Sequence, residues 1–283
     1  MHIKKGTIHI GQNWKPQEIT ANKYSISFDG VDDAVKFTNT GSFSQQASFT
    51  FSFWIKASYG DFTDGNNYPF FAKGGAPSEG SDAEHNYTYL GTKRSGTNGL
   101  ISVAYEHGSG TAVSAYTSYL DIHDGEWHHI VITRNTSDNN IDIYVDDDSK
   151  SITDGTGGND PSGGGGSSAI VRFGVNMADN RYFPGKINDV AVWNTPLDSA
   201  AITELYNSKS TINLKRNYGN YDEYTDNLTF WLRGGDGFVY GVSEAQEKDG
   251  VLLYDQSGAM NGESNATGSF VGAPSFVTDT PSS

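Results

Sequence analysis

The sequence contains no cysteine. That absence excludes a disulfide-stabilised secreted fold, a thiolate metal site and a cysteine nucleophile. Long apolar runs are missing too, and none approaches the roughly 20 residues that cross a bilayer as a helix. Residues 1–18 (MHIKKGTIHIGQNWKPQE) carry Lys4 and Lys5 with no apolar stretch after them, which does not read as a signal peptide. The expectation is a chain that reaches an exterior location as part of an assembly, or stays inside a cell. Basic residues are scarce: 19 Lys and Arg stand against 34 Asp and Glu, a formal net charge of −15. Phosphate backbones repel such a surface, so nucleic acid is not expected as a main partner. The acids either serve solubility or cluster in part to hold divalent cations.

Glycine and aromatics are abundant. The 283 residues include 34 Gly, 16 Tyr and 15 Phe, the composition of a strand-rich chain with many turns. Its length suits one large β-sandwich with extensions, or two small domains. The most informative stretch is residues 183–207, FPGKINDVAVWNTPLDSAAITELYN. From Lys186 to Trp193 the side chains alternate, with Ile187, Asp189, Ala191 and Trp193 on one face and Asn188, Val190 and Val192 on the other. Period two marks a strand. A turn follows at Thr195-Pro196. Asp198 or Ser199 can then cap a short helix whose apolar residues Ala201, Ile202, Leu205 and Tyr206 recur at helical spacing.

This segment resembles the closing strand and helical turn of the laminin-G-like, concanavalin-A-like jelly rolls, with their "G-K-I-D-D-V-R-I-Y-N…L-S-x-x-E-I-x-x-L-Y" pattern. Residues 24–35 (YSISFDGVDDAV) resemble the opening strand and residues 49–57 (FTFSFWIKA) the second core strand. Residues 69–74 (PFFAKG) resemble the short strand after the first long loop. Residues 124–134 (DGEWHHIVITR) resemble "W-H-H-V-A-V-T", residues 141–147 (IDIYVDD) run into a "Y-V-D-G"-like turn, and residues 170–174 (IVRFG) resemble "L-R-I-G". The resemblance implies an all-β, two-sheet antiparallel jelly-roll sandwich, of the type found in tailed-phage surface proteins. It does not imply one function, because the fold hosts lectins, glycanases and viral surface proteins. The expected core is Phe28, Phe51, Phe53, Ile55, Trp127, Ile130, Ile132, Ile143, Val145, Val190 and Val192.

Three parts follow: an N-terminal arm (1–23), the jelly roll (24–207) and a C-terminal appendage (208–283). In the appendage residues 228–233 (LTFWLR) read as a strand, residues 234–237 as a turn, and residues 255–262 (DQSGAMNG) resemble a turn that flanks such sandwiches. Residues 274–283 are polar and proline-containing, an extended tail. The loops at 59–68, 76–86 and 154–168 are long, and the last (DGTGGNDPSGGGGSS) has the composition of a flexible linker.

Several residues invite chemistry. Glucan-hydrolysing sandwiches of this kind place E-x-D-x-E on one strand, with acid/base and nucleophile about 5 Å apart. Here the same-face positions hold Asn140, Asp142 and Tyr144, so the carboxylate pair is missing and no enzyme is expected. His128 and His129 are adjacent on a strand, point to opposite faces and cannot chelate one ion; His85 and His107 lie in or near loops with no shared site. Trp54 falls on the face of Thr50, Ser52 and Lys56, either covered by a loop or appendage or open for stacking on a sugar ring. The resemblance implies a structural Ca2+ tying the opening strand to the closing one. Asp29 and Asp189 are the matching acids, with Asp32 and Asp33 in the adjoining turn; Asn188 stands where an Asp is common. The alternative is that Asp29 and Asp189 only cap turns by hydrogen bonding.

Two function classes remain. One is a non-enzymatic virion surface or structural protein (tail, fibre or capsid decoration), homo-oligomeric, joined to other virion proteins through its arm or tail by strand addition. Host-glycan adhesion would then run through Trp54 and the long loops, with Asp61, Asp64, Asn66, Tyr68, Asn180, Arg181 and Tyr182 as ligand contacts. The other is a carbohydrate-binding module of a cell-surface or secreted protein.

Overall fold

In the computed structural model, the described residues are 22–37, 48–63, 65–74, 87–95, 98–106, 113–138, 140–154, 170–216, 219–234, 253–254 and 267–281. Strands are numbered along the chain. Sheet I runs, in spatial order, β10 (Asp148–Lys150), β9 (Asn140–Val145), β8 (Asp124–Asn135), β3 (Phe49–Ser58), β13 (Pro184–Trp193), β1 (Ser25–Asp29) and β17 (Ser275–Val277), with β14 (Leu228–Leu232) also on β13. Sheet II runs β11 (Ile152–Asp154), β7 (Val113–Thr117), β6 (Asn98–Glu106), β5 (Tyr87–Ser95), β4 (Asn67–Gly74), β12 (Ile170–Phe173), β2 (Ala34–Phe37), β16 (Thr267–Val271) and β15 (Leu253–Tyr254). The described pairings are antiparallel. This is the two-sheet jelly roll that the order of motifs predicts.

Alternation in β3, β8 and β9 sends Phe51, Phe53, Ile55, Ile130, Ile132, Ile143 and Val145 into the layer between the sheets, where Phe28, Phe70, Phe71, Phe173, Phe183 and Phe230 join them. Trp127 departs from expectation. It is half-buried, and its indole N–H donates to Asp279 Oδ1 at 3.0 Å. In register it lies opposite Lys56, so its pleat position faces away from the core.

A second apolar layer covers the other face of sheet I. Helix α1 (Ser199–Tyr206) is capped by Asp198, whose carboxylate accepts from Ala201 N at 2.8 Å. It buries Ala201, Ile202 and Leu205 against Val131, Ala191, Trp193, Leu228 and Trp231. Residues 208–283, expected as an appendage, thus supply β14 and β17 to sheet I and β15 and β16 to sheet II. The arm, apart from residues 22 and 23, lies outside the described residues, as do the loops 76–86 and 155–168, the 255–262 turn, Asp64, His85 and His107.

The strict alternation expected in β13 is broken. Its register against β3 shifts between Asn188 and Ala191, and Asp189 has φ +47°. The extra residue resets the pleat. Ile187 therefore joins Val190 and Val192 between the sheets, while Ala191 and Trp193 face the helix layer.

Candidate functional site

Register fixes which loops share an end of the sandwich. Ser58 pairs with Asp124, Asn67 with Lys93, Asp29 with Pro184 and Phe173 with Val35. The turn 30–33, the loop 59–66, the segment 118–123 and the loop 174–183 therefore all emerge at the same end. Buried aromatics anchor them. Phe62 stacks on His123 with centroids 4.2 Å apart, meets Tyr68 edge-on at 4.8 Å and Phe183 at 6.0 Å, and Phe183 meets Phe70 at 5.1 Å.

On that base the surface is polar and aromatic. Tyr59 is 50% exposed, and the Arg94 guanidinium lies over its ring, 5.1 Å from the centroid. Arg94 also donates to the Phe62 carbonyl, which fixes the cation against the loop. Tyr119 is 44% exposed, on the segment where Leu120 exchanges backbone bonds with Gly99. The loop 176–183 is braced by its own bonds. Asn176 Oδ1 accepts from Asn180 N at 3.0 Å and Arg181 N at 3.2 Å, Asn176 Nδ2 donates to Asn180 Oδ1 at 2.8 Å, and Tyr182 Oη donates to Asp179 O at 2.9 Å. Asp179 in turn receives Lys36 Nζ at 2.7 Å. Arg181 is exposed.

The sequence-predicted contacts divide. Asn180, Arg181 and Tyr182 come together on the loop, and Asp61 and Asn66 are exposed at the same end. Tyr68 is half-buried: its hydroxyl accepts from Thr63 N at 2.8 Å and its ring packs on Phe62. Trp54 is closed to a ligand. It is 1% exposed, stacked against His129 (4.8 Å) and Tyr206 of α1 (5.9 Å), so the covered alternative holds because the helix lies on that face. Tyr59, Arg94 and Tyr119 were not among the candidates. Arg94 is unremarkable in sequence; the β4–β5 register, with Asn67 opposite Lys93, carries it to the 59–66 loop.

The expected calcium pair is not brought together. Asp29 is level with Pro184, whereas Asp189 stands five residues further along β13, about 16 Å at strand rise. Asp189 is 7% exposed, and its Oδ1 accepts the Trp231 indole N–H at 2.6 Å. Asp29, Asp32 and Asp33 do converge, their carboxylate oxygens within 4.8 Å of one another. Those oxygens already take backbone donors: Asp29 Oδ1 accepts from Val31 and Asp32, and Asp33 accepts from Asp29 N at 2.9 Å and Ala273 N at 2.7 Å. Gly30, with φ +76° and Pro184 where a Cβ would stand, lets this turn close.

The histidines have local work. Burial depresses His129 to about 3 against a partial pull from Asp146, and its Nε2 is 2.7 Å from Ser52 Oγ. Burial, with Arg94 adding to it, takes His123 down to about 4. Burial also pulls on His128, but the hydrogen bonds and charges of Asp146 (2.7 Å) and Asp124 (3.1 Å) outweigh it and raise its pKa. On β9, Asn140 Nδ2 donates to Asp142 Oδ2 at 2.9 Å, so the lone acid of the glycanase-like triplet is tied to a neutral neighbour.

Comparison with known proteins agrees with this architecture. The concanavalin A-like lectin/glucanases superfamily matches residues 29–203. A Bacteroides ovatus protein provisionally assigned to carbohydrate binding superposes with TM-score 0.52 at 18% identity, over 93% of this chain and 62% of its own. This chain therefore spans less than two thirds of that relative. A pentraxin of Limulus polyphemus gives TM-score 0.44 at 16% identity, covering 65% of this chain and 82% of its own. Tailspike protein 2 of an Escherichia coli O157:H7 bacteriophage gives 0.40 at 15%, covering 66% and 28%. No curated protein matches in sequence. With the family pattern running through the strands of both sheets and into helix α1, the chain belongs to the concanavalin A-like lectin/glucanases superfamily.

Proposed function

We propose that this chain is a non-catalytic glycan-binding sandwich whose contact surface is the end carrying loops 59–66 and 174–183. The observation that supports it is their shared anchorage on Phe62 and Phe183 beneath exposed Tyr59, Asn180 and Arg181 and half-buried Arg94 and Tyr182. Aromatic rings stack on sugar faces, and guanidinium and amide groups donate to hydroxyls; loops on a rigid scaffold commonly carry such contacts. The fold relative assigned to carbohydrate binding is compatible with this reading. A glycan array probed with the full chain tests it, the full chain because residues beyond 207 are strands of both sheets. Binding that falls at least tenfold in Tyr59→Ala and Arg181→Ala supports the site; a silent array overturns it.

The placement on a virion surface, as a homo-oligomer assembled through residues 1–23, belongs to the same proposal and rests on Lys4, Lys5 and Trp14 ahead of the sandwich. Mass measurement of the full chain and of a chain lacking that arm decides between it and a monomeric binding module. A structural Ca2+ is proposed at the Asp29–Asp32–Asp33 turn rather than at Asp189, since three hard carboxylates within 4.8 Å suit it. Calcium should then raise the melting temperature, and Asp32→Asn should remove the increment; a melting curve unchanged by chelator overturns it.

A further inference from the structure

A cross-strand row on the outer face of sheet I places two cations side by side. Lys186 of β13 is directly opposite Lys56 of β3, and Lys56 is directly opposite Trp127 of β8. Like charges at directly opposed positions destabilise a sheet unless an anion lies between them. A half-buried indole N–H also needs an acceptor. The acceptor comes from the far end of the chain. Asp279, two residues past β17, takes Lys186 Nζ at 2.5 Å and Lys56 Nζ at 3.2 Å on Oδ2, and Trp127 Nε1 at 3.0 Å on Oδ1. Burial alone would raise the Asp279 carboxyl; the Lys186, Trp127 and Lys56 bonds outweigh it and hold it down to about 2.

Around one carboxylate, then, two ammonium groups and an indole N–H converge, leaving excess positive charge in a chain of net charge −15. The segment that brings the carboxylate pairs over a short length, with Phe276 half-buried against the core. β17 pairs with β1 over three residues, Ser25 Oγ donates to Asp279 O at 2.6 Å, and Thr280 Oγ1 donates to Asn22 O at 3.2 Å. Short strands at a sheet edge open at small cost compared with global unfolding. Ser27 and Ser275 continue the same row and offer hydroxyl partners beside the cations.

We propose that Lys56, Lys186 and Trp127 form a carboxylate-binding site that Asp279 fills from within the chain, and that its exchangeable ligand is an external carboxylate, either a simple acid or one carried on a sugar. The row lies on the outer face of sheet I, two or three residues from the strand ends Ser58, Pro184 and Asp124, and does not rest on the glycan reading of the loops beyond them. The tethered carboxylate competes at an effective concentration on the order of millimolar, so external ligand binds weakly until the segment lifts.

Chemical rescue tests it. Asp279→Ala in the full chain should lower the melting temperature. Formate should restore it saturably, while chloride at equal ionic strength should not. Glucuronate should restore it as formate does, and glucose should not. The wild-type chain should need at least tenfold more of either anion for a comparable shift. Lys186→Met in the Asp279→Ala background should abolish the rescue, and Arg181→Ala at the loop end should leave it intact. Equal responses to formate and chloride would overturn the site; formate rescue without glucuronate rescue would overturn the sugar as its ligand. Should Asp279→Ala not fold, Asp279→Asn keeps the shape of the side chain, and binding of formate and glucuronate is then read from Trp127 fluorescence, with no change from either counting against the proposal.

Discussion

The rings of Phe62 and Phe183 lie 6.0 Å apart, and this contact joins the loop after β3 to the loop before β13. Both rings are buried. Phe62→Ala should therefore loosen both loops while leaving both sheets paired. The expected cost is about 3–5 kcal/mol, the range for emptying a buried Phe site. Hydrogen exchange should rise in residues 59–68 and 174–183 and remain low in β8 and β13; uniform exchange over both sheets would refute a local anchor.

Phe51 tests the core itself. It is buried between the sheets, 5.2 Å from Phe49 and 4.8 Å from Phe71 by ring centroid. Phe51→Ala should cost roughly 3–5 kcal/mol in denaturant unfolding. A loss under about 1 kcal/mol would mean that β3 faces the other way.

Asp189 is expected to act as a structural acceptor. Asp189→Ala strands the buried Trp231 N–H and puts a Cβ-bearing apolar residue at φ +47°. About 2–4 kcal/mol should be lost, the sum of an unsatisfied buried donor and left-handed strain. Asp189→Asn keeps an acceptor and a residue tolerant of that backbone, so its loss should be smaller. Neither effect should change with chelator.

Acid should destabilise the chain from about pH 6.5 downward. His123 and His129 have folded pKa values of about 4 and about 3, below the unfolded value near 6.5. For a depressed base the unfolded state binds the extra proton, so stability is full above about 6.5 and falls as pH drops toward the folded pKa. Each contributes up to about 1.4 kcal/mol per pH unit within that window. His128 opposes them: its raised pKa gives stability that is full below about 6.5 and is lost as pH rises through the folded value. Urea melts of His129→Gln between pH 7 and 5 should show a flatter decline than wild type, and those of His128→Gln a steeper one. An unchanged slope in His129→Gln would refute its buried neutral state.

The jelly roll was legible because its signals are local. Alternation in FTFSFWIKA and IVITR fixes which side chains face a core, and Asp198 ahead of SAAITELY fixes a helix start, both from short-range sterics and hydrogen bonding. The phase reset in β13 was not legible, since a bulge at Asp189 is stabilised by Trp231 from another strand. Trp54 could not be placed from sequence either; whether its face is open depends on where α1 packs. The same limit applies to the two surfaces argued here. Arg94 meets Tyr59, and Asp279 meets Lys56, Lys186 and Trp127, because strand register brings distant segments together. Sequence periodicity determines the face a residue takes along its own strand, whereas the neighbour across the sheet is chosen by the packing of the whole chain.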